Sequence, residues 1–360
     1  MKITIFTGSL SGGGAERVAC NLATFLYNHG NEVEFLTFGN DDKSYYYDPH
    51  INRINLLEDS ERGNAFKESF IRIVRFVKYL VLKKQDVYIV TLPVTIIMLL
   101  SFSFLTKSKI IASERCDPQK LPSKQQKGLK FFCKNADGWI FQTPEVMNWY
   151  LPSLGSTKRI VIPNAINPSF LENQLDQQKE KVIITSGRLK KQKNHKLLID
   201  SFALIASKFI DYKLLILGEG GLRNSLESLI EEYRLNDRVT LLGYVDNVKE
   251  RLSRASVFVL SSLYEGMPNA LIEAMALGLP CISTDCDGGG ARYLINDGEN
   301  GLLVPNNDVN ALANAIDKIL SNEEFAQKLG RNAEKVKEDL HPDKIYGCWL
   351  QFIEDIVQTK

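Results

Sequence analysis

Short apolar runs alternate with amphipathic stretches along almost the whole chain. In the first half, Ile3–Phe6, Val33–Phe38, Val87–Thr91, Ile110–Ser113, Gly138–Gln142 and Arg159–Ile162 read as strands. Ala15–His29 and Ala65–Lys84 repeat their apolar residues at helical spacing. A succession of this kind predicts a parallel sheet covered on both faces. The segment Ile162–Lys181, "IPNAINPSFLENQLDQQKEK", breaks it with two prolines, three asparagines and a charged run, which is loop chemistry. The alternation then restarts, with strands expected at Val182–Thr185, Lys213–Leu217, Val239–Leu241, Val257–Leu260 and Cys281–Thr284. Helices are expected at Lys193–Lys208, Leu222–Tyr233 and Asn269–Leu277. The expected organisation is an α/β protein of two doubly wound, Rossmann-like domains facing each other across a cleft. The domains span 1–165 and 181–340, with a linker at 166–180. A closing helix over 341–360 can pack on either, the first domain being the candidate. In such sheets ligands lie at the carboxyl ends of the strands.

The longest apolar stretch, "VYIVTLPVTIIMLLSFSFL" (Val87–Leu105), has 19 residues without a charge, close to the roughly 20 that span a bilayer. Pro93 divides it. The β-branched run before the proline reads as a buried strand and the run after it as a short apolar helix. The N-terminus, MKITIF, begins as a strand and has no signal-peptide pattern. Six cysteines in 360 residues are too few for a disulfide scaffold, and the pair Cys281 and Cys286 fits no zinc spacing. A cytoplasmic setting is the expectation.

Net charge is +1, but it is unevenly placed. Residues 1–165 hold 21 Lys and Arg against 15 Asp and Glu, leaving 23 against 28 in the rest. A basic first half fits an anionic partner such as a phosphate or a membrane surface; no nucleic acid is expected.

The glycine run in "TGSLSGGGAERVACNLA" (Thr7–Ala23) lies between a strand and a helix. Gly8 and Gly13 have P-loop spacing, but Gly14 and Ala15 stand where Lys and Ser/Thr belong. Gly12 and Gly14 begin a dinucleotide fingerprint, yet Arg17 takes its third glycine position. The next strand also ends without a ribose-binding acid. Two readings stay open: a helix N-terminus offered to an anionic ligand, or a tight turn that needs only positive φ.

The second half carries more specific chemistry. In "SGRLKKQKNHKLLIDSF" (Ser186–Phe202), Gly187 permits close approach, and Arg188 and Lys193 flank a helix start. That is a good diphosphate clamp. In "SSLYEGMPNALIEAMALGLP" (Ser261–Pro280), Glu265 follows a strand end, Gly266–Pro268 form a turn, and Glu273 lies inside the following helix. Carboxylates bind sugar hydroxyls as strong acceptors, and the free amides after Gly266 meet phosphate. "DCD" (Asp285–Asp287) precedes Gly288–Gly290 and reads as an acidic loop, with no metal expected.

The Glu265-x₇-Glu273 pattern resembles the signature of retaining glycosyltransferases of the GT-B fold, family 4. So do "SGRL…QKN", "LGEGGLRNSLE" (Leu217–Glu227), "GGGAERV" (Gly12–Val18) and "DGENGLLVP" (Asp297–Pro305). The resemblance implies a nucleotide-sugar donor, UDP-linked, and no further cofactor. It implies that Arg188 and Lys193 neutralise the departing diphosphate, that Glu273 binds the ribose, and that Glu265 holds the transferred sugar. Gly187, Gly218, Pro268 and the amides of Gly266, Met267, Asn269, Ala270 and Leu271 would surround the donor, with Gly243 and Tyr244 near the base. Gly12, Gly13 and Gly14 would face the donor from the other domain, and Glu16 would meet the acceptor. One departure stands out: where family members often carry a histidine, this chain has Arg115, which cannot act as a base and is read as an acceptor-phosphate ligand.

The basic first half adds an acceptor expectation. Lys67, Arg72, Arg75, Lys78, Lys83 and Lys84 interleave with apolar residues, and Lys124, Lys127, Lys130 and Lys134 follow at helical spacing. Such faces suit anionic lipid or a lipid diphosphate. The expected acceptor is a polyprenyl-diphosphate-linked saccharide at the inner face of the plasma membrane. A saccharide-binding protein without transferase activity and a GT-B-like sugar-nucleotide epimerase are the alternatives.

Overall fold

The computed structural model describes residues 1–11, 13–40, 45–172 and 179–358. Gly12 and part of the expected linker, 173–178, lie outside the described residues.

The chain forms two compact units. Unit 1 is Met1–Ala165 together with Asp343–Lys360, and unit 2 is Ile166–Pro342. Unit 1 holds β1 (Lys2–Phe6), β2 (Glu32–Thr37), β3 (Asn52–Asn55), β4 (Val87–Thr91), β5 (Lys109–Glu114), β6 (Gly138–Phe141) and β7 (Lys158–Val161). They make one parallel sheet in the order β3-β2-β1-β4-β5-β6-β7. Its helices are α1 (Gly14–Asn28), α2 (Ala65–Leu82), α3 (Pro93–Ser101), α4 (Ser123–Phe132) and α5 (Pro144–Leu154).

In unit 2, β8 (Val182–Ser186), β9 (Lys213–Leu217), β10 (Val239–Gly243), β11 (Val257–Leu260), β12 (Cys281–Thr284) and β13 (Leu302–Val304) form a parallel sheet. Its order is β10-β9-β8-β11-β12-β13. The helices are α6 (His195–Ile205), α7 (Arg223–Glu232), α8 (Val248–Arg254), α9 (Asn269–Ala276), α10 (Gly290–Leu294), α11 (Val309–Leu320), α12 (Glu323–Ala333) and α13 (Val336–Asp339). The last helix, α14 (Pro342–Gln358), returns to unit 1.

Both sheets follow from continuous apolar strands. Every residue of β4, β6, β11 and β12 is buried, as parallel strands covered on two faces require. Each sheet reverses its winding once, between β1 and β4 in unit 1 and between β8 and β11 in unit 2. Such a reversal opens a crevice at the carboxyl ends of the two strands concerned.

Two edge strands escape the apolar pattern. β3 is the polar NRIN, held by side chains: Thr37 Oγ1 donates to Asn55 Oδ1 at 2.6 Å. β13 has only three residues. The apolar stretch 87–105 divides as its proline predicts, into buried β4 and into α3 with Pro93 in its first turn. Among the described residues no helix is long and apolar enough to cross a membrane.

Residues 166–172 lie in unit 2, where Ile166 N–H donates to the Leu340 carbonyl and Phe170 is buried. The helix α14 buries Tyr346, Trp349, Ile353 and Ile356. In unit 1 it packs Tyr346 near Phe25, with ring centres 5.5 Å apart. Phe352 and Ile356 press on Gly138, at whose Cβ position they would stand about 3 Å away.

Candidate active site

The crevice of unit 2 is built by the loops that leave β8 and β11. β8 ends at Ser186, and Gly187 N–H donates to the Leu217 carbonyl at 2.9 Å. Gly218 has φ +135°, and a side chain there would strike the Gly187 carbonyl; both reasons demand glycine. Gly218 N–H donates to the Gly243 carbonyl at 2.8 Å, so three loop starts are stitched side by side. Gly243 has φ +74°, and the ring of Tyr244 beside it is 82% exposed.

Past Gly187 the two predicted cations differ. Arg188 is exposed. Lys193 closes a short 3-10 turn, Asn194 takes a left-handed φ of +45°, and α6 begins at His195. Lys193 Nζ then lies 2.5 Å from Glu265 Oε1, across 72 residues of sequence. The Ser262 hydroxyl donates to the same oxygen at 2.6 Å. Glu265 itself is only 6% exposed, and an almost buried carboxylate needs such charged and polar donors.

The two loops are laced by further bonds. Leu263 N–H donates to the Gln192 carbonyl, the Gln192 amide to the Tyr264 carbonyl, and the Ser261 hydroxyl to the Lys193 carbonyl, at 2.8, 3.0 and 3.0 Å. Glu265 N–H reaches the Asp287 carbonyl at 2.9 Å. Gly266, Met267 and Pro268 then turn into α9, whose first residues are Asn269, Ala270 and Leu271. The turn lies tight against α10: a Cβ on Gly290 would stand 2.7 Å from Pro268 Cδ and 2.8 Å from the Gly266 carbonyl carbon. Glu273 is buried within α9. Unit 2 thus brings Lys193, Glu265 and the amino end of α9 to one crevice, with Arg188 on the loop that carries Lys193.

His195 was not among the predicted residues. It is 3% exposed, and its Nε2 lies 3.3 Å from the Gly187 carbonyl. Burial, and the charge of Lys193 to a lesser degree, push its pKa down to about 4, so the ring is neutral near pH 7 and Nε2–H is the donor. The acidic loop also finds partners, since Arg292 Nε donates to Asp285 at 2.7 Å. Among the described residues no three His, Cys, Asp or Glu side chains cluster as metal ligands do.

Unit 1 has its own features. Gly13 caps α1 with an extended φ of −143°, and neither it nor Gly14 has positive φ, so the backbone of these two does not call for a left-handed turn. A side chain on Gly13 would strike the carboxylate of Glu16, which folds over the start of α1. A carboxylate there offsets the helix dipole.

Arg115 is turned inward. It is 8% exposed, its Nη1 donates to Asn164 Oδ1 at 2.9 Å, and its guanidinium lies 5.0 Å from the Trp349 ring of α14. Burial lowers its pKa to about 10, which leaves it charged at neutral pH. Its neighbour Glu114 is fully buried, with its pKa raised by burial, and accepts from the Tyr150 hydroxyl at 2.5 Å. Arg115 is thus engaged within unit 1 by Asn164 and by the Trp349 ring. Lys124, Lys127 and Lys130 are exposed on α4, with Lys130 Nζ 4.1 Å from the Trp149 ring.

Known proteins resemble the chain along almost its whole length. The family model "Glycosyltransferase Family 4" matches residues 12–170, and "Glycosyl transferases group 1" matches residues 168–336. A Campylobacter jejuni N-acetylgalactosamine-N,N'-diacetylbacillosaminyl-diphospho-undecaprenol 4-alpha-N-acetylgalactosaminyltransferase is 30% identical over 93% of this chain and 94% of its own. A second C. jejuni enzyme, GalNAc-alpha-(1->4)-GalNAc-alpha-(1->3)-diNAcBac-PP-undecaprenol alpha-1,4-N-acetyl-D-galactosaminyltransferase, is 28% identical over 99% of both. Among solved structures, sucrose-phosphate synthase from Thermosynechococcus elongatus superposes with a TM-score of 0.84 at 22% identity, over 99% of both chains. Anabaena HepE in complex with UDP gives 0.82 at 16% identity, over 99% of this chain and 100% of that one. The chain belongs to the family 4 glycosyltransferases and has their GT-B fold.

Proposed function

We propose that the protein is a retaining, metal-independent transferase that takes a hexose or N-acetylhexosamine from a UDP-sugar. The acceptor is a hydroxyl of a polyprenyl-diphosphate-linked saccharide, and the product serves cell-surface glycan assembly. One observation carries the reading: a lysine–glutamate pair lies at the crevice where α9 begins, with an exposed arginine on the loop that carries the lysine. Cations and free helix amides suit a departing diphosphate, and the carboxylate suits sugar hydroxyls. The UDP in the HepE complex and the undecaprenol-linked substrates in the names of the C. jejuni relatives support the donor and acceptor classes.

On this reading the bond between the sugar's anomeric carbon and the diphosphate oxygen breaks, and its electron pair stays on that oxygen. Arg188, Lys193 and the free N–H groups within Gly266–Ile272, Pro268 having none, stabilise the charge that grows there. The acceptor oxygen bonds the same face of the anomeric carbon and passes its proton to the donor phosphate, so configuration is kept. Glu265 orients the sugar, Glu273 the ribose, and Gly243 with Tyr244 the base. The cationic clamp does the electrostatic work that a divalent ion does elsewhere. Gly13, Gly14 and Glu16 are assigned to the sugar and acceptor side.

A membrane surface completes the proposal. α2 turns Phe66, Phe70, Ile73, Val74 and Val81 outward at 44 to 84% exposure, with exposed Lys67 and Lys78 alongside. Exposed lysines on α4 and exposed Phe131 repeat the combination. Apolar stripes beside lysines bind anionic interfaces, which supports an enzyme that works at the cytoplasmic face of the membrane.

The test is slow donor hydrolysis across UDP-glucose, UDP-galactose, UDP-N-acetylglucosamine and UDP-N-acetylgalactosamine. The wild type should release UDP from at least one, and Glu265→Ala about a hundredfold more slowly. Equal release by both proteins from every donor would remove the catalytic core of the proposal.

A further inference from the structure

Glu265 is held unevenly. Both side-chain bonds found among the described residues end on Oε1, one from Lys193 Nζ and one from Ser262 Oγ. No described side chain donates to Oε2. The two donors also differ in kind. Lysine carries a mobile point charge on a flexible stem, and an arriving diphosphate competes with Glu265 for it. Serine has one short rotor, and the backbone that carries this one is held: Ser262 is fully buried, and its carbonyl accepts from the Thr284 hydroxyl of β12 at 2.6 Å. Ser261 and Leu263 on either side are bonded to the Lys193 and Gln192 carbonyls. The Ser262 backbone, from which the hydroxyl is aimed at Glu265, is therefore held from β12 and from the neighbouring loop at once.

We propose that Ser262 is the positioning residue for Glu265. Its hydroxyl keeps Oε1 in place when the diphosphate draws Lys193 away, so that Oε2 is the oxygen offered to the transferred sugar. The inference rests on the sugar-orienting role proposed for Glu265. It assigns to Ser262 no contact with substrate, only control over which way the carboxylate points. A hydrogen bond to a charged group of this length is among the stronger ones in proteins. Losing it frees the Glu265 side chain to rotate between donor and solvent, a loss felt at the reacting centre and not by the nucleotide.

The experiment compares Ser262→Ala, Ser262→Thr and Ser262→Cys with Glu265→Gln. It uses the UDP-sugar that the wild type hydrolyses, and calorimetric binding of UDP. Ser262→Ala should lower kcat by about ten- to a hundredfold, with KM and the Kd for UDP held within about twofold. Ser262→Thr, which keeps a hydroxyl, should recover most of that kcat. Ser262→Cys guards against a cavity effect: its thiol is somewhat larger than the hydroxyl and only a weak donor, and it should show the alanine loss, with the unfolding transition of each variant measured beside the wild type. The inference is overturned if Ser262→Ala keeps wild-type kcat, if UDP affinity falls together with kcat, or if Ser262→Thr does no better than alanine. Glu265→Gln separates the two levels. If it is slow while Ser262→Ala is not, only the positioning role fails; if it too turns over like the wild type, the sugar-orienting role of Glu265 fails first.

Discussion

Gly290→Ala is the most direct test of how the catalytic turn is held. Gly290 opens α10, is buried, and has no positive φ, so alanine would meet no backbone strain of its own. The obstacle is contact. The new Cβ would stand 2.7 Å from Pro268 Cδ and 2.8 Å from the Gly266 carbonyl carbon, and closer still to the Gly266 oxygen. Carbon atoms in good contact are about 3.5 Å apart and the Gly266 oxygen is closer than either carbon, so α10 and the 266–268 turn must separate by at least about 1 Å. Overpacking of this kind costs about 1–3 kcal/mol, and a 1 Å misplacement of reacting groups costs about a hundredfold in rate. Urea unfolding should therefore show a loss in that range, and UDP release from the donor should slow by about two orders of magnitude. Gly347→Ala is the control. It lies inside α14 with no heavy atom within 4 Å of its Cβ position, and should gain roughly 0.5–1 kcal/mol without touching turnover. If Gly290→Ala kept both wild-type stability and wild-type turnover, close approach to Gly266 could not be what sets the turn.

Two further outcomes are expected. His195 has a folded pKa of about 4 against an ordinary 6.5, so below pH ~6.5 the unfolded chain takes up its proton first and stability falls as pH drops towards ~4. The contribution lost by pH ~5 is about 2 kcal/mol; His195→Gln should flatten the change in urea midpoint between pH ~7 and ~5, and an unchanged slope would show that the imidazole is not the group responsible. Reversing charge at Lys124, Lys127 and Lys130 together should weaken sedimentation with anionic liposomes by more than about tenfold, at about 1 kcal/mol for each lysine, while leaving donor hydrolysis intact; unchanged binding would remove α4 from the proposed membrane surface.

Much of this molecule is legible along the chain because its strands are apolar on both faces. β4, β9, β11 and β12 fall where the apolar runs predict them, residue for residue. β3 is invisible to the same logic, since NRIN is an edge strand secured by polar side chains. The site divides in a similar way. Glu265, Glu273, Arg188 and Lys193 announce themselves by residue type and spacing. The bond from Lys193 to Glu265 spans 72 residues, and those from Ser261 and Gln192 span 68 and 72, so no local pattern records them. Gly290 looks like a loop glycine until Gly266 is found against it. The contact between the Arg115 guanidinium and the Trp349 ring of α14 is just as far beyond local pattern.

That helix has a consequence for the order in which the protein is made. Unit 2 is one uninterrupted segment, whereas unit 1 takes its final residues, 343–360, from the far side of it. On the ribosome, the surface of unit 1 around Gly138 and Arg115 emerges well before Phe352, Ile356 and Trp349 exist to cover it. Synthesis of all of unit 2 therefore falls within the interval in which unit 1 is unfinished. A nascent chain stalled before α14 would carry a complete second unit attached to a first one still exposing its uncovered core. Unit 1 expressed alone would need α14 joined back to residue 165 to close.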